Sequence, residues 1–220
     1  MKKGFTLAEV LITLGIVGVV AALTLPNMIK NHQKRVLVTQ LQRTYNSIVN
    51  AMPSFMDEVH ASSLFDTDAF NANRNPKDVT AMVNFVKDNF KTSKICTADT
   101  PGGTAACYGS EYKRLSGGDG AGAFGGDVCT ILKTGASICF SRQWGKSSFP
   151  EVDIDVNGPQ GPNVWGRDAF QLEFNNAGDI AESFHAPGEF DMNGKEYCED
   201  DKYGNGCFNK IVEDGWVMDY

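Results

Sequence analysis

MKKGFTLAEVLITLGIVGVVAALTLPN, residues 1–27, decides the fold. From Phe5 to Leu25 it runs 21 residues, of which Glu9 alone is charged. A helix rising about 1.5 Å per residue covers roughly 31 Å over that run, the thickness of a bilayer's hydrocarbon core. Lys2 and Lys3 precede it and Pro26 follows it. A secretory signal peptide shares the two lysines, the apolar stretch and small residues such as Ala21 and Ala22. The run is long for such a signal, and a glutamate inside it is a defect. A charge at the centre of a lipid-facing helix costs roughly 2.5–3.5 kcal/mol, less nearer the interface. Glu9 is therefore a functional candidate in need of a partner.

KKGFTLAEVLITLGIVGVVAALTLP resembles the N-terminus of type IV prepilins and of the pseudopilins of type II secretion. The likeness rests on the short basic leader, the Gly4–Phe5 junction, Glu9, the unbroken apolar run and Pro26, about 26 of the 220 residues. It implies that a prepilin peptidase cuts between Gly4 and Phe5 and methylates the new amino group of Phe5. Glu9 then becomes the fifth residue of the mature chain, where the family carries its assembly glutamate. Pro26 falls at the family's helix-bending proline. The resemblance also implies a partner for Glu9, the terminal amine of a neighbouring subunit. Ammonium and carboxylate are each costly alone in lipid, and pairing offsets much of that cost. A helix N-terminus favours a carboxylate besides.

The expected organisation is a leader over 1–4, a transmembrane and filament-core helix over 5–25, its amphipathic continuation over 26–60 and a globular pilin head over 61–220. Past Pro26, Val36 or Leu37, Leu41, Tyr45, Ile48, Met52, Phe55 or Met56, and Val59 recur every three to four residues, one apolar stripe of a long helix. Pro26 and Pro53 each remove a backbone donor and are expected to bend or loosen it. NPKDVTAMVNFVKDNFK, from Asn75, predicts a second helix, with Asn75 as cap, Pro76 at the first helical position, and Val79, Met82, Val83, Val86 and Phe90 on one face. Residues 96–127 read as loop. DVCTILKTGASICFSR predicts a hairpin about the loop Lys133-Thr134-Gly135, with Gly135 left-handed and Cys129 opposite Cys139. EVDIDV, DAFQLEF and GDIAES supply further strands. A helix followed by an antiparallel sheet makes the fold class α+β.

Acidic residues outnumber basic ones, 27 to 20, which argues against a general nucleic-acid surface. A local basic strip remains at Lys30, Lys34, Arg35 and Arg43. Lysines flank the apolar run on both sides, so charge alone does not orient it. The resemblance implies a cytoplasmic N-terminus, a single pass through the inner membrane with the head outside, and later a place in a pilus at the cell surface. Six cysteines point to an oxidising compartment. Cys96 and Cys107, Cys129 and Cys139, Cys198 and Cys207 have ten, nine and eight residues between them, not the short spacing of a zinc site. Fifteen connectivities are possible. Sequential pairing is the simplest, each pair closing a short loop rich in Gly or Asn.

No enzyme is legible. Gly120, Gly122 and Gly125 match G-x-G-x-x-G without the strand before and the helix after. His32, His60 and His185 sit in no catalytic spacing. Asp153, Asp155, Asn157 and Gly158 match the opening of a calcium loop. Its closing glutamate is replaced by Val164, so Asp168 is the candidate last ligand and Ca²⁺ the candidate cofactor; a polar turn between strands explains the same residues. Residues 187–220 hold nine acidic and three basic residues, read as a solvated region clipped by Cys198–Cys207; the alternative is an exposed pilin loop that contacts a neighbour or a target, with Trp216, Val217 and Tyr220 packing it onto the sheet.

The resulting expectation is a structural subunit, pilin or minor pilin, of a type IV pilus-like filament. Its partners are the prepilin peptidase, other pilin subunits, the inner-membrane assembly platform and, before assembly, membrane lipid. A type II secretion pseudopilin, a membrane-tethered extracytoplasmic binding domain that does not polymerise, and a secreted enzyme behind a signal peptide are the alternatives.

Overall fold

The computed structural model describes residues 4, 6–71, 75, 77–117, 124–142, 149–182, 198 and 204–220. One helix, α1, runs from Leu7 to Glu58, and Pro26 and Pro53 lie within it without ending it. By contacts the chain forms two units, Met1–Val36 and Leu37–Tyr220. The first contains the apolar part of α1.

In the second unit α1 buries Val38, Leu41, Ile48, Ala51, Met52 and Phe55, close to the stripe read from the sequence. Val36 and Val59, at the ends of that stripe, are exposed. The helix closes in a Schellman turn. Ala61 N donates to Met56 O at 2.9 Å and His60 N to Asp57 O at 3.1 Å, with His60 left-handed at φ 54°.

Among the described residues, six strands form a meander, each antiparallel to the next. They are β1 (Thr92–Cys96), β2 (Val128–Leu132), β3 (Ser137–Ser141), β4 (Glu151–Asp155), β5 (Ala169–Phe174) and β6 (Ile180–Ala181). The architecture is thus the expected α+β, pilin-like one: a long N-terminal helix, then a small antiparallel sheet. The β2–β3 hairpin has the expected register, Cys129 opposite Cys139, and Gly135 is left-handed at φ 97°. Alternation sends Val128, Ile138, Phe140, Val152, Ile154, Phe170 and Leu172 to one face, where they pack with α1 and with α2 (Thr80–Asn89) in the main core.

Helix α2 starts later than the sequence suggested. Asn75 does not cap it; its Oδ1 accepts from Lys77 N at 3.1 Å in a local turn. The guanidinium of Arg142 explains the delay. It donates to the carbonyls of Asn75 and Asp78, both at 3.1 Å, and so holds that stretch in a turn. Pro76 lies outside the described residues. The buried face is Met82, Phe85, Val86 and Phe90, with Val79 and Val83 at its margins. Phe85 is its centre, with ring centroids 4.7 Å from Phe55, 5.4 Å from Phe70 and 5.3 Å from Phe140.

Of the C-terminal region, residues 204–220 are less solvated than the charge suggested. A helix, α3 (Cys207–Glu213), buries Phe208 and Ile211. Trp216 packs on Tyr45 of α1 and on Phe208, at 5.7 and 6.1 Å, and Val217 is exposed.

Candidate functional site

The apolar part of α1 opens on Thr6. Its backbone N–H and its hydroxyl both donate to Glu9 Oε2, at 2.9 and 2.7 Å, and Glu9 N donates back to Thr6 Oγ1 at 3.3 Å. This is a reciprocal capping box, in which the first-turn carboxylate satisfies donors the helix cannot. Val10 N on Thr6 O, 3.2 Å, is the first turn behind it. Thr-x-x-Glu ahead of an apolar run is a sequence signature of such a start.

Gly4 is exposed, with nothing within 4 Å of where a Cβ would stand. Phe5, the expected methylated residue, lies outside the described residues. From Leu7 to Ile29 the apolar side chains are exposed on every side of the helix. Thr13 and Thr24 turn their hydroxyls onto the carbonyls of Val10 and Val20, both at 2.9 Å. Their polar groups are thereby satisfied within the helix, as lipid requires. Among the described residues, α1 is the one helix long and apolar enough to cross a membrane.

The second candidate site is β4. Asp153 and Asp155 do point to one side, as alternation requires, but that side is buried. Tyr112, Phe124 and Trp165 roof it in a second core around Cys129 and Cys139. Asp153 Oδ2 accepts from Gly125 N at 2.9 Å, so the glycine-rich loop has a packing role at this residue; Gly120 and Gly122 lie outside the described residues. Asp155 Oδ2 accepts from the Tyr112 hydroxyl at 2.7 Å, and its Oδ1 from Gly158 N at 2.9 Å and Asn157 N at 3.2 Å. Asp168 Oδ1 accepts from Val164 N. Asn157 Nδ2 donates to Gln160 O at 2.6 Å. These bonded oxygens are aimed at the Tyr112 hydroxyl and at backbone donors that shape the loops, while Asp153 Oδ1, Asn157 Oδ1 and Asp168 Oδ2 are buried with no hydrogen-bond partner among the described residues. Among the described residues, no group of three or more His, Cys, Asp or Glu is placed to hold a metal ion. Burial pushes the pKa of Asp155 up to about 7 and raises those of Asp153 and Asp168. Burial, then the charge of Asp155, raises Tyr112, which remains a hydrogen-bond donor.

Residues 1–25 match the family of the prokaryotic N-terminal methylation motif. The chain carries a type IV prepilin-type N-terminal segment. No curated protein and no solved structure matches the chain.

Behind the prepilin segment, the three disulfides join Cys96 to Cys107, Cys129 to Cys139 and Cys198 to Cys207. The first two lie on the roofed face of the sheet and fasten β1 and the hairpin. The third anchors Cys198 to the start of α3. Nothing in the sequence marked Tyr112, a loop tyrosine four residues after Tyr108. His32 and His60 are exposed and far from any such cluster in sequence; His185 lies outside the described residues.

Proposed function

We propose that this chain is a structural subunit of a type IV pilus-like filament, not an enzyme. The prepilin peptidase removes residues 1–4 and methylates Phe5, and the exposed apolar helix then moves from the inner membrane into the filament core. The observation that carries this reading is that helix: apolar on every side from Leu7 to Ile29, led by Glu9 in its first turn. A helix hydrophobic all round needs lipid or other helices about it. The head stands outside the cytoplasm, where three disulfides persist.

Intact mass of the full-length chain, expressed with the peptidase and assembly platform, tests the reading. The expected product begins at Phe5 and carries one added methyl group. Gly4→Val is expected to leave the uncut chain in the inner membrane, because the peptidase needs a residue without a side chain beside the scissile bond. A product beginning near Leu23 would indicate ordinary secretion and overturn the reading.

A further inference from the structure

An open groove of about 570 Å³ lies between α1, the end of α2 and the hairpin turn. Phe90, Leu132 and Val156, core residues each at most 7% exposed, form its floor, and Arg43, Lys91 and Lys133 a cationic edge. The three cations are exposed, and none pairs with a described carboxylate. The far end of α1 has the opposite character. Its last turn carries Asp57 and Glu58 and no basic residue, followed by Val59, which is 46% exposed. Two carboxylates at the negative pole of a helix repel it and each other, and cations brought there are stabilising.

We propose that the groove receives the α1 end of a second copy of this chain. Asp57 and Glu58 then meet Arg43, Lys91 and Lys133, while Val59 covers the apolar floor. The inference rests on the filament-subunit reading and names one contact within the filament. Charge complementarity selects the occupant, since the chain is acidic overall, net −7, and two copies repel unless a contact matches opposite signs. Geometry agrees with a polymer. About 22 Å of helix separates Arg43 from Glu58, so the two halves are different patches. A contact between different patches is head-to-tail, and where its rotation does not close it builds an open filament rather than a closed pair.

Cysteine cross-linking in sheared filaments of the full-length chain tests this. None of the native cysteines is free, so introduced thiols report alone. Coexpressed copies carrying Lys133→Cys and Glu58→Cys are expected to give a cross-linked dimer, and both substitutions in one chain a ladder. Either substitution alone is expected to give neither. Lys91→Glu with Lys133→Glu should abolish filaments, and Asp57→Lys with Glu58→Lys in a coexpressed copy should restore them. Filaments whose subunits start at methylated Phe5, but which show no ladder and tolerate the reversals, overturn this contact and leave the filament reading intact. Cross-linking of the groove to a different protein, without links between copies, overturns it equally. If the unmutated chain is neither processed nor polymerised, the filament reading fails and takes this contact with it.

Discussion

The Tyr112 hydroxyl donates to Asp155 Oδ2 at 2.7 Å, joining residues 43 apart in sequence. The bond pins a loop over the face of the sheet that an alternating strand would otherwise give to water. It also explains why an acidic strand can be buried. Tyr112 and the N–H groups of Asn157 and Gly158 stand in for solvent, while burial still raises Asp155 to about 7.

The shift sets a pH dependence. Between the ordinary value of 3.8 and about 7, folded Asp155 holds a proton that the unfolded chain has released. Stability from this group is fully present below the unfolded value and is lost as pH rises through about 7. Asp153 and Asp168, also raised, act in the same direction. The Tm of the purified chain in detergent is therefore expected to fall from about pH 5 to about pH 8, and Asp155→Asn to flatten that fall. Tyr112→Phe leaves a buried oxygen short of a donor and is expected to cost about 1–3 kcal/mol. A Tm that rises over the interval would mean that the folded state prefers the ionised form.

Phe85 was not part of the apolar face expected for α2, yet it sits among Phe55, Phe70 and Phe140. Phe85→Ala is expected to cost about 3–5 kcal/mol, as truncation of a buried aromatic does. Val83→Ala, at the margin, should cost well under half of that. Urea midpoints of the two variants decide which residue faces the core, and equal midpoints would contradict the packing.

What the sequence made legible was local. The hairpin followed from Gly135 and from strand alternation, and the Cys129–Cys139 pair from the hairpin. Helix α1 followed from its period. Strand β1 was missed because it lies at the sheet edge, with only Cys96 buried and no alternation to read. Helix α3 was missed because Gly206 starts it without a side-chain cap and acidic residues surround it; the spacing of Phe208 and Ile211 was the faint signal. Asn75 misled because its ability to cap is also an ability to make a turn, and Arg142, 67 residues on, decides between them. The side to which Asp153 and Asp155 point was legible. That Tyr112, Phe124 and Trp165 cover it was not, since the cover comes from distant loops.

Gly158 turns the chain after β4 at φ 66°, and a Cβ there would collide with the carbonyl oxygen of Gly135. Both the left-handed backbone and the close approach to the hairpin turn require glycine. Gly158→Ala is expected to destabilise the head by more than the roughly 1–2 kcal/mol of the backbone term alone, because the hairpin turn must also shift. An unfolding midpoint within error of the unmutated chain would show that the two turns do not touch.

Calcium offers a direct test of what the aspartates do. Asp155 already accepts three hydrogen bonds, and among the described residues no group of three or more His, Cys, Asp or Glu is placed around it to hold an ion. Unfolding curves in chelator and in calcium are expected to coincide. A calcium-dependent rise in Tm that Asp155→Ala abolishes would show that the ion binds there instead.

Glu9 has two possible tasks, and Thr6 separates them. Within the chain, Glu9 completes a capping box with Thr6, a local role. In the proposed filament its carboxylate meets the methylated amine of a neighbouring Phe5. Glu9→Ala removes both roles. It should spare membrane insertion, since it takes a charge out of the apolar segment, and should abolish incorporation into filaments. Thr6→Ala keeps the carboxylate and removes only the cap, at a cost of about 1 kcal/mol confined to the first turn. If pairing between subunits is the main task, Thr6→Ala filaments should form at close to the normal yield while Glu9→Ala filaments do not. Equal loss in both variants, measured as subunit recovered in sheared filaments against subunit in the inner membrane, would assign Glu9 to the cap. Equal retention would remove Glu9 from assembly altogether.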